Sequence, residues 1–388
     1  MPDHDLQCSG QRFSVEYHIH ASATQARRRA ELLCIDQTVE AADHVIPSGW
    51  VRDHLLGRVL HFESLSPEVH RAIISLPTEL LDGSMTRLLH MTFGMAGLQG
   101  QVRLTDLSLP DDIVSAMAGP RFGVQGVRAL LQIPERPLVC AVLKPVGLSP
   151  RALAALADQF ALGEVDLIKD DQSLGDHPFC RFEERIARCV ETIAEASRRT
   201  GRRCLYAPHV SGSWPVLHEQ AFWARRAGAG ALLICPGLTG FDAMTSLASL
   251  PSLSIPLIAH PDFLGSHYAC PDSGIAPSVL FGLLARLAGA DVSIYPTYGS
   301  TFPISEEDCR HIALSCRRPL GDFPPIFPTA AGRMSALRID EMTALYGRDL
   351  VYILGSDLRK DPLKVTRACR EFLRRLEKAP SSSAQDDY

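Results

Sequence analysis

The stretch VDLIKDDQSLGDHPF, residues 165–179, runs from an apolar strand-like segment straight into Lys169, Asp170, Asp171 and Gln172. Alternate side chains of a strand share a face, so Leu167, Lys169 and Asp171 point one way and Ile168 and Asp170 the other. A lysine and a carboxylate on one face, at the C-terminal end of a strand, have two uses. They can close the strand as a structural ion pair, or they can floor an active site. Asp170, facing away, suits a loop-capping role. Further groups stand at comparable places: Lys144 in LVCAVLKP, His209 in CLYAPHV and His260 in IPLIAHPD. Amines, a carboxylate and imidazoles are the residue types of acid–base catalysis.

From about residue 137 onward, apolar runs alternate with helical patterns. The runs are LVCAVLKP (138–145), VDLIKDD (165–171), CLYAPHV (204–210), ALLICPG (231–237), IPLIAHPD (255–262), DVSIYPT (291–297), PIFPTAA (325–331) and DLVYILGS (349–356). Helix signals lie between them. Ser149 and Pro150 suit an N-cap and first turn, and Ser305 with Asp308 has capping-box spacing. Eight such units predict a closed parallel (β/α)8 TIM barrel more readily than an open doubly wound sheet.

The first 120 residues have another rhythm, with FSVEYHIHAS alternating like a half-exposed strand and ATQARRRAELLCI reading as a helix. WVRDHLLGRVLHFESL and EVHRAIISLP read as strands, GSMTRLLHMTFGM as a helix and QVRLTDLSLP as a last strand. That βαββαβ order predicts a ferredoxin-like α+β domain over residues 1–120. GPRFGVQGVRALL bridges to a catalytic barrel over 121–378, and 379–388 reads as a disordered tail. Met85, Met91 and Met95 fall near helical spacing and are read as core.

Chemistry in such a barrel sits at the C-terminal ends of the strands. Those ends carry Lys144, Lys169 with Asp171, His209, Pro236, His260, Thr297, Gly332, and Gly355 with Ser356. So many ionisable groups at one mouth would be expensive to bury without a purpose. The KDD run is therefore expected to floor a catalytic pocket.

Bulk properties narrow the class. Charged residues make up 21% of the chain and the net charge is -5, which gives no reason to expect nucleic acid or a membrane surface. The 11 cysteines are scattered and odd in number, without a C-x-x-C pair, which favours reduced thiols and a cytoplasmic setting. The start, MPDHDLQCSG, is polar and acidic and does not read as a signal peptide.

GPRFGVQG, KPVGLS, DLIKDD followed by HPF, and TGFDAMTSLA, in that order, resemble the RuBisCO large-subunit superfamily over nearly the whole chain. The resemblance implies that Lys169 can be carbamylated by CO2, and that this carbamate, Asp171 and the position of Gln172 form an Mg2+ site. It implies that Lys144 handles substrate protons and that His260 lies near the reacting carbons. It also implies a homodimer, in which Asp36 and His90 stand where the family sends an acid and an asparagine into the partner's site.

The departures are as informative. Gln172 replaces a glutamate ligand and brings no charge, so Mg2+ affinity should fall. KPVGLS is one residue shorter than the K-P-K-L-G-L-S of the carboxylating enzymes, and TYGSTFP lacks the lysine that clamps the CO2-derived carboxylate. One phosphate end survives in outline, because Gly332 and Gly355, beside Ser356, permit close backbone approach to an anion. Arg333, where the family has glycine, could add a charge-assisted contact or fill the site. At the other end Pro261 and Ile294 replace an arginine and a histidine. The chain is thus similar to the RuBisCO-like proteins of the form IV branch. The resemblance implies an isomerase, tautomerase or decarboxylase acting through an enolate on a phosphorylated sugar derivative, without carboxylation. The competing reading is a non-catalytic relic that binds such a metabolite, and Gln172 is the residue that favours it.

Overall fold

The computed structural model describes residues 8–379. Its N-terminal part is a sheet of β1 (Arg12–His20), β2 (Arg58–Ser66), β3 (Val69–Pro77) and β4 (Val102–Ser108). Their order is β4-β1-β3-β2, with β1 antiparallel to both neighbours, as the βαββαβ reading requires. Strand β1 buries Phe13, Val15, Tyr17 and Ile19 in strict alternation. The helix Ala23–Asp36 covers that face with Ala26, Ala30, Leu33 and Cys34. One expectation fails here: Val51–Leu55, read as the start of a strand, is a short wide helical turn, and β2 begins only at Arg58. The alternation of WVRDHLL is too short to specify a strand when no partner edge lies beside it. Of the three methionines, Met85 and Met91 are core, whereas Met95 is 37% exposed.

The second part is a ring of eight parallel strands. They are β5 (Leu138–Leu143), β6 (Leu167–Asp170), β7 (Leu205–Ala207), β8 (Leu232–Ile234) and β9 (Leu257–Ala259), then β11 (Val292–Ser293), β12 (Phe327–Ala330) and β13 (Val351–Leu354). Each falls inside one of the eight apolar runs. The ladder runs β7-β6-β5-β13-β12-β11-β9-β8, and a parallel bridge between His209 and Leu233 closes it. Strands buried on both faces explain the unbroken apolar runs. Inside the ring Cys140, Leu167, Leu233, Ile258, Val292 and Phe327 pack together, and the helix Gly123–Leu131 plugs the lower end with Val124, Val127 and Leu131.

Carboxylates tie that lower end. Asp166 binds Arg136 at 2.6 Å and accepts the Val139 amide at 2.7 Å, and Asp349 binds Arg128 at 2.6 Å. Asp291 accepts the amides of Phe122 and Gly123 at 2.8 and 2.7 Å. These contacts fix the frame and leave the opposite ends of the strands free for chemistry. Ser149 and the Ser305–Asp308 capping box hold their helices as the spacing predicted.

A short strand absent from the sequence reading, β10 (Gly274–Ile275), leaves the barrel to pair in parallel with β4. Asp242 of the barrel also accepts the Met85 and Thr86 amides of the N-terminal part at 3.0 and 2.7 Å. The sheet is thereby fastened beside the barrel mouth. Among the described residues no helix is long and apolar enough to cross a membrane.

Candidate functional site

Barrel twist brings the ends of β5, β6, β9, β11 and β12 around one cavity of about 390 Å3, which suits a single small metabolite. Lys144, Lys169, Asp171, Gln172, His260 and Gly332 all line it. Strand parity explains the selection. Lys169 shares the inward face of β6 with Leu167, whereas Ile168 and Asp170 face the surrounding helices.

Lys169 is 2% exposed, and its Nζ donates to the carbonyl oxygen of Asp170 at 2.9 Å. Burial is the main cause that lowers its pKa from the ordinary lysine value, because it disfavours the charged form. Asp171 lies just beyond β6, where its side chain accepts the Ser173 amide at 3.2 Å and its carbonyl accepts the Leu174 amide at 3.0 Å. That turn aims the carboxylate at Lys144, whose Nζ is 3.5 Å away. The ion pair of the site is therefore Lys144–Asp171, across two strands, and not Lys169–Asp171 along one. His260 Nδ1 accepts the Asp262 amide at 3.3 Å, leaving Nε2 to carry the proton. Burial, followed by the nearby Lys169, His209 and Lys144, holds the His260 pKa well below the usual histidine range. This histidine is a neutral donor.

The other expected residues divide. Gly332 lines the cavity with a left-handed backbone, φ +87°, and Arg333 beside it is exposed and also left-handed, φ +52°. Gly355 packs on Lys144, since a Cβ there would sit 3.1 Å from Lys144 Cε; Ser356 begins the turn that follows. Arg359 of that turn donates to the Lys144 carbonyl, a support that the sequence reading missed. Thr297 is structural: its hydroxyl accepts the Ala331 amide at 2.9 Å. His209 is buried with Nε2 3.5 Å from Cys235 Sγ and does not line the cavity. Asp36 ends its helix in a hydrogen bond from Gln99 at 3.0 Å, and burial raises its pKa. His90 pairs with Glu40 at 3.2 Å and borders a separate apolar cleft between its own helical segment and the barrel.

Asp170 corrects the loop-capping expectation. It is fully buried, 3.1 Å from Arg185 Nε, and accepts the Tyr206 hydroxyl at 2.7 Å and the His209 amide at 3.1 Å. Arg185 lies on the apolar face of the helix Phe182–Thr200 with Phe182, Ile186 and Cys189. A charge on an apolar helix face, following an outward-facing aspartate, was the available signal.

A divalent cation at this mouth would meet Asp171, the Gln172 amide oxygen and Lys169. Among the described residues, no three His, Cys, Asp or Glu side chains gather as a metal site. Two carboxylates line the cavity, Asp171 and Asp262, and Asp171 is already engaged by Lys144. As unmodified side chains these donors do not fit Mg2+, which favours anionic oxygens. A carbamate on Lys169 would add a second anion.

Comparisons with known proteins agree on one family. Residues 123–358 match the model of the ribulose bisphosphate carboxylase large chain, catalytic domain. The chain is 36% identical over 362 residues to ribulose bisphosphate carboxylase-like protein 1 of Rhodopseudomonas palustris, covering 93% of this chain and 96% of that one. It is 32% identical over 372 residues to the 5-methylthioribulose-1-phosphate isomerase of Rhodospirillum rubrum, covering 95% and 97%. A crystal structure of a Rubisco-like protein from Rhodopseudomonas palustris superposes with a TM-score of 0.85 at 32% identity, over 96% of this chain and 99% of that one.

Proposed function

The chain belongs to the RuBisCO large-chain family, among its RuBisCO-like members, and on that premise we propose that it enolises a ketone-bearing sugar derivative with one phosphate. The observation that carries this reading is a single pocket that joins Lys144, Lys169, Asp171 and His260 while placing Ile294 and Pro261 in its wall. The first set can move a proton. The second cannot hold another phosphate, because neither side chain donates a hydrogen bond.

In this reading the uncharged amine of Lys169 takes the proton from carbon next to the substrate carbonyl. Negative charge then grows on the carbonyl oxygen, where the Lys144 ammonium and the His260 Nε2–H offer donors. Asp171 pairs with Lys144 and holds it in place. The hydroxyl proton on the deprotonated carbon then passes to the first oxyanion, with His260 or Lys144 as relay, and Lys169 returns its proton to the former carbonyl carbon. The net change is an isomerisation of an α-hydroxy ketone; loss of a carboxylate could feed the same enolate. The phosphate is expected against the backbone at Gly332, Arg333, Gly355 and Ser356.

The test is turnover of 5-methylthioribulose 1-phosphate, the substrate in the name of the Rhodospirillum relative, beside a ribulose 1,5-bisphosphate assay with radiolabelled bicarbonate. The expected result is isomerised ketose in the first assay and no acid-stable label in the second. Label in the second assay would overturn the non-carboxylating reading, and turnover of no phosphorylated ketone would overturn enolisation.

Enzymes of this family generally use Mg2+ with a carbamylated lysine. Only with Lys169 carbamylated would it, Asp171 and Gln172 hold the ion and add positive charge at the enolate oxygen, and Lys169 would then be a ligand in place of a free-amine base. Gln172 leaves that site one charge short. Gln172→Glu should therefore tighten Mg2+ binding about tenfold, the value of one contact to a charged group, in calorimetric titrations with bicarbonate. An unchanged affinity would place Gln172 outside the metal position.

We further expect a homodimer, with the segment around Asp36 and His90 near the neighbouring barrel. Sedimentation at micromolar concentration should give twice the chain mass of 42.4 kDa. A monomer would contradict this.

A further inference from the structure

We propose that Arg359 is a positioning residue for Lys144, and that through it the substrate phosphate sets the Lys144 amine in place for proton transfer. This rests on the function proposed above and couples the two ends of its substrate. Lys144 stands one residue beyond the barrel ladder, whose last pair between β5 and β6 is Leu143 with Asp170. Pro145 follows and has no N–H with which to continue the strand. The Lys144 side chain is 41% exposed, and its Nζ lies 3.5 Å from Asp171. That pair holds the amine end only, and the long stem behind it needs a second hold to lose its rotamer freedom.

The turn after β13 supplies that hold. β13 lies beside β5 with Leu354 opposite Ala141, so residues 355–359 arrive next to Lys144. Gly355 comes first and touches the side chain. A Cβ there would stand 3.1 Å from Lys144 Cε and 3.6 Å from Nζ, so a side chain at this position would press on the stem. Arg359 comes last and touches the main chain, where its Nη1 donates to the Lys144 carbonyl oxygen. One short turn thus grips the lysine by its stem and by its backbone. Leu358, 2% exposed, anchors the turn in the core, and Asp357 is paired with Lys360, which offsets the carboxylate of the turn itself. Gly355 and Ser356 are also where the phosphate is expected. A phosphate that orders this backbone therefore orders the grip on Lys144. Binding energy from the remote end of the substrate then goes into the geometry of the reacting end, beyond what it adds to affinity.

The experiment offers the substrate in two pieces, 5-methylthioribulose without its phosphate and inorganic phosphite, to the full chain, to Arg359→Met and to Arg359→Lys. Solvent-deuterium exchange next to the carbonyl is the first readout, and melting temperatures verify that both variants fold. Wild type should exchange the truncated ketose at least about fivefold faster with saturating phosphite, the lower end of usual coupling between two sites. Arg359→Met should lose that acceleration. It should also lower kcat for the phosphorylated ketose about a hundredfold with little change in KM, the cost of misplacing a group by about 1 Å. Arg359→Lys still brings a donor to the carbonyl and should recover part of both effects. Acceleration that persists in Arg359→Met overturns the proposal, as does a loss in that variant confined to KM. A second readout needs no turnover: acetylation of Lys144 by limiting acetic anhydride, followed by mass spectrometry. Phosphite should slow it at least about fivefold in wild type and leave it unchanged in Arg359→Met. Equal protection in both would mean that phosphite meets Lys144 directly, and would overturn the coupling. The expected protection pattern without exchange from any ketose keeps the coupling and sinks enolisation, and exchange without that pattern does the reverse.

Discussion

Lys169→Met should lower kcat about a thousandfold, within the range of about 10^2 to 10^4 that a positioned acid or base contributes, and leave the fold intact. The size follows from geometry. Lys169 is the buried amine on the inward face of β6, and burial lowers its pKa from the ordinary lysine value, which favours its role as the base. Methionine keeps the length and most of the packing while removing a desolvated polar head, so unfolding should need as much denaturant as before, or more. The one hydrogen bond lost is the 2.9 Å donation to the Asp170 carbonyl. Steady-state kinetics beside a denaturation curve decides the matter. A kcat within tenfold of wild type would remove Lys169 from the chemistry, and a loss of stability matching the loss of activity would make it a structural residue.

Asp170→Ala, one residue along, should do the opposite. It is expected to cost about 3–5 kcal/mol of stability, the penalty for leaving one member of a buried pair uncompensated. Arg185 would remain fully buried without its carboxylate, and the Tyr206 hydroxyl and His209 amide would lose their acceptor. Arg185 keeps its contact with the Gly175 carbonyl at 2.8 Å, which is a poor substitute for a charge. The double variant Asp170→Ala with Arg185→Met should recover part of the loss, because it removes the orphaned charge together with its partner. Unfolding free energies from denaturant titration give the comparison. A cost below about 1 kcal/mol for the single variant would mean that water or another group replaces the pair.

Two adjacent aspartates thus have opposite fates, and only half of that was legible beforehand. Period-two alternation separated Lys169 and Asp171 from Asp170 correctly, because a strand end is rigid and its parity survives folding. It could not say that Asp171 would meet Lys144 from the neighbouring strand, since that pairing depends on barrel register and on the turn at Ser173. Nor could it find the partner of Asp170, although Arg185 on the apolar face of its helix offered a clue. The eight barrel strands were legible as unbroken apolar runs, and the caps at Ser149 and Ser305 as local chemistry. The short pairing of Gly274–Ile275 with β4 was not, because two residues carry no period. His209 shows the limit of counting strand ends: it stands at one, yet it closes the ring through its bridge with Leu233 and does not line the cavity.

The central claim is that this pocket removes a proton from carbon next to a carbonyl on a singly phosphorylated substrate. The most direct measurement is proton NMR of 5-methylthioribulose 1-phosphate in D2O with the full chain and with Lys169→Met. The account predicts that enzyme washes deuterium into the carbon next to the carbonyl, at a rate at least as fast as isomerised product appears, and that the Lys169 variant does so about a thousandfold more slowly. Product formed with its carbon-bound hydrogens fully retained throughout, or equal exchange by the variant, would contradict it.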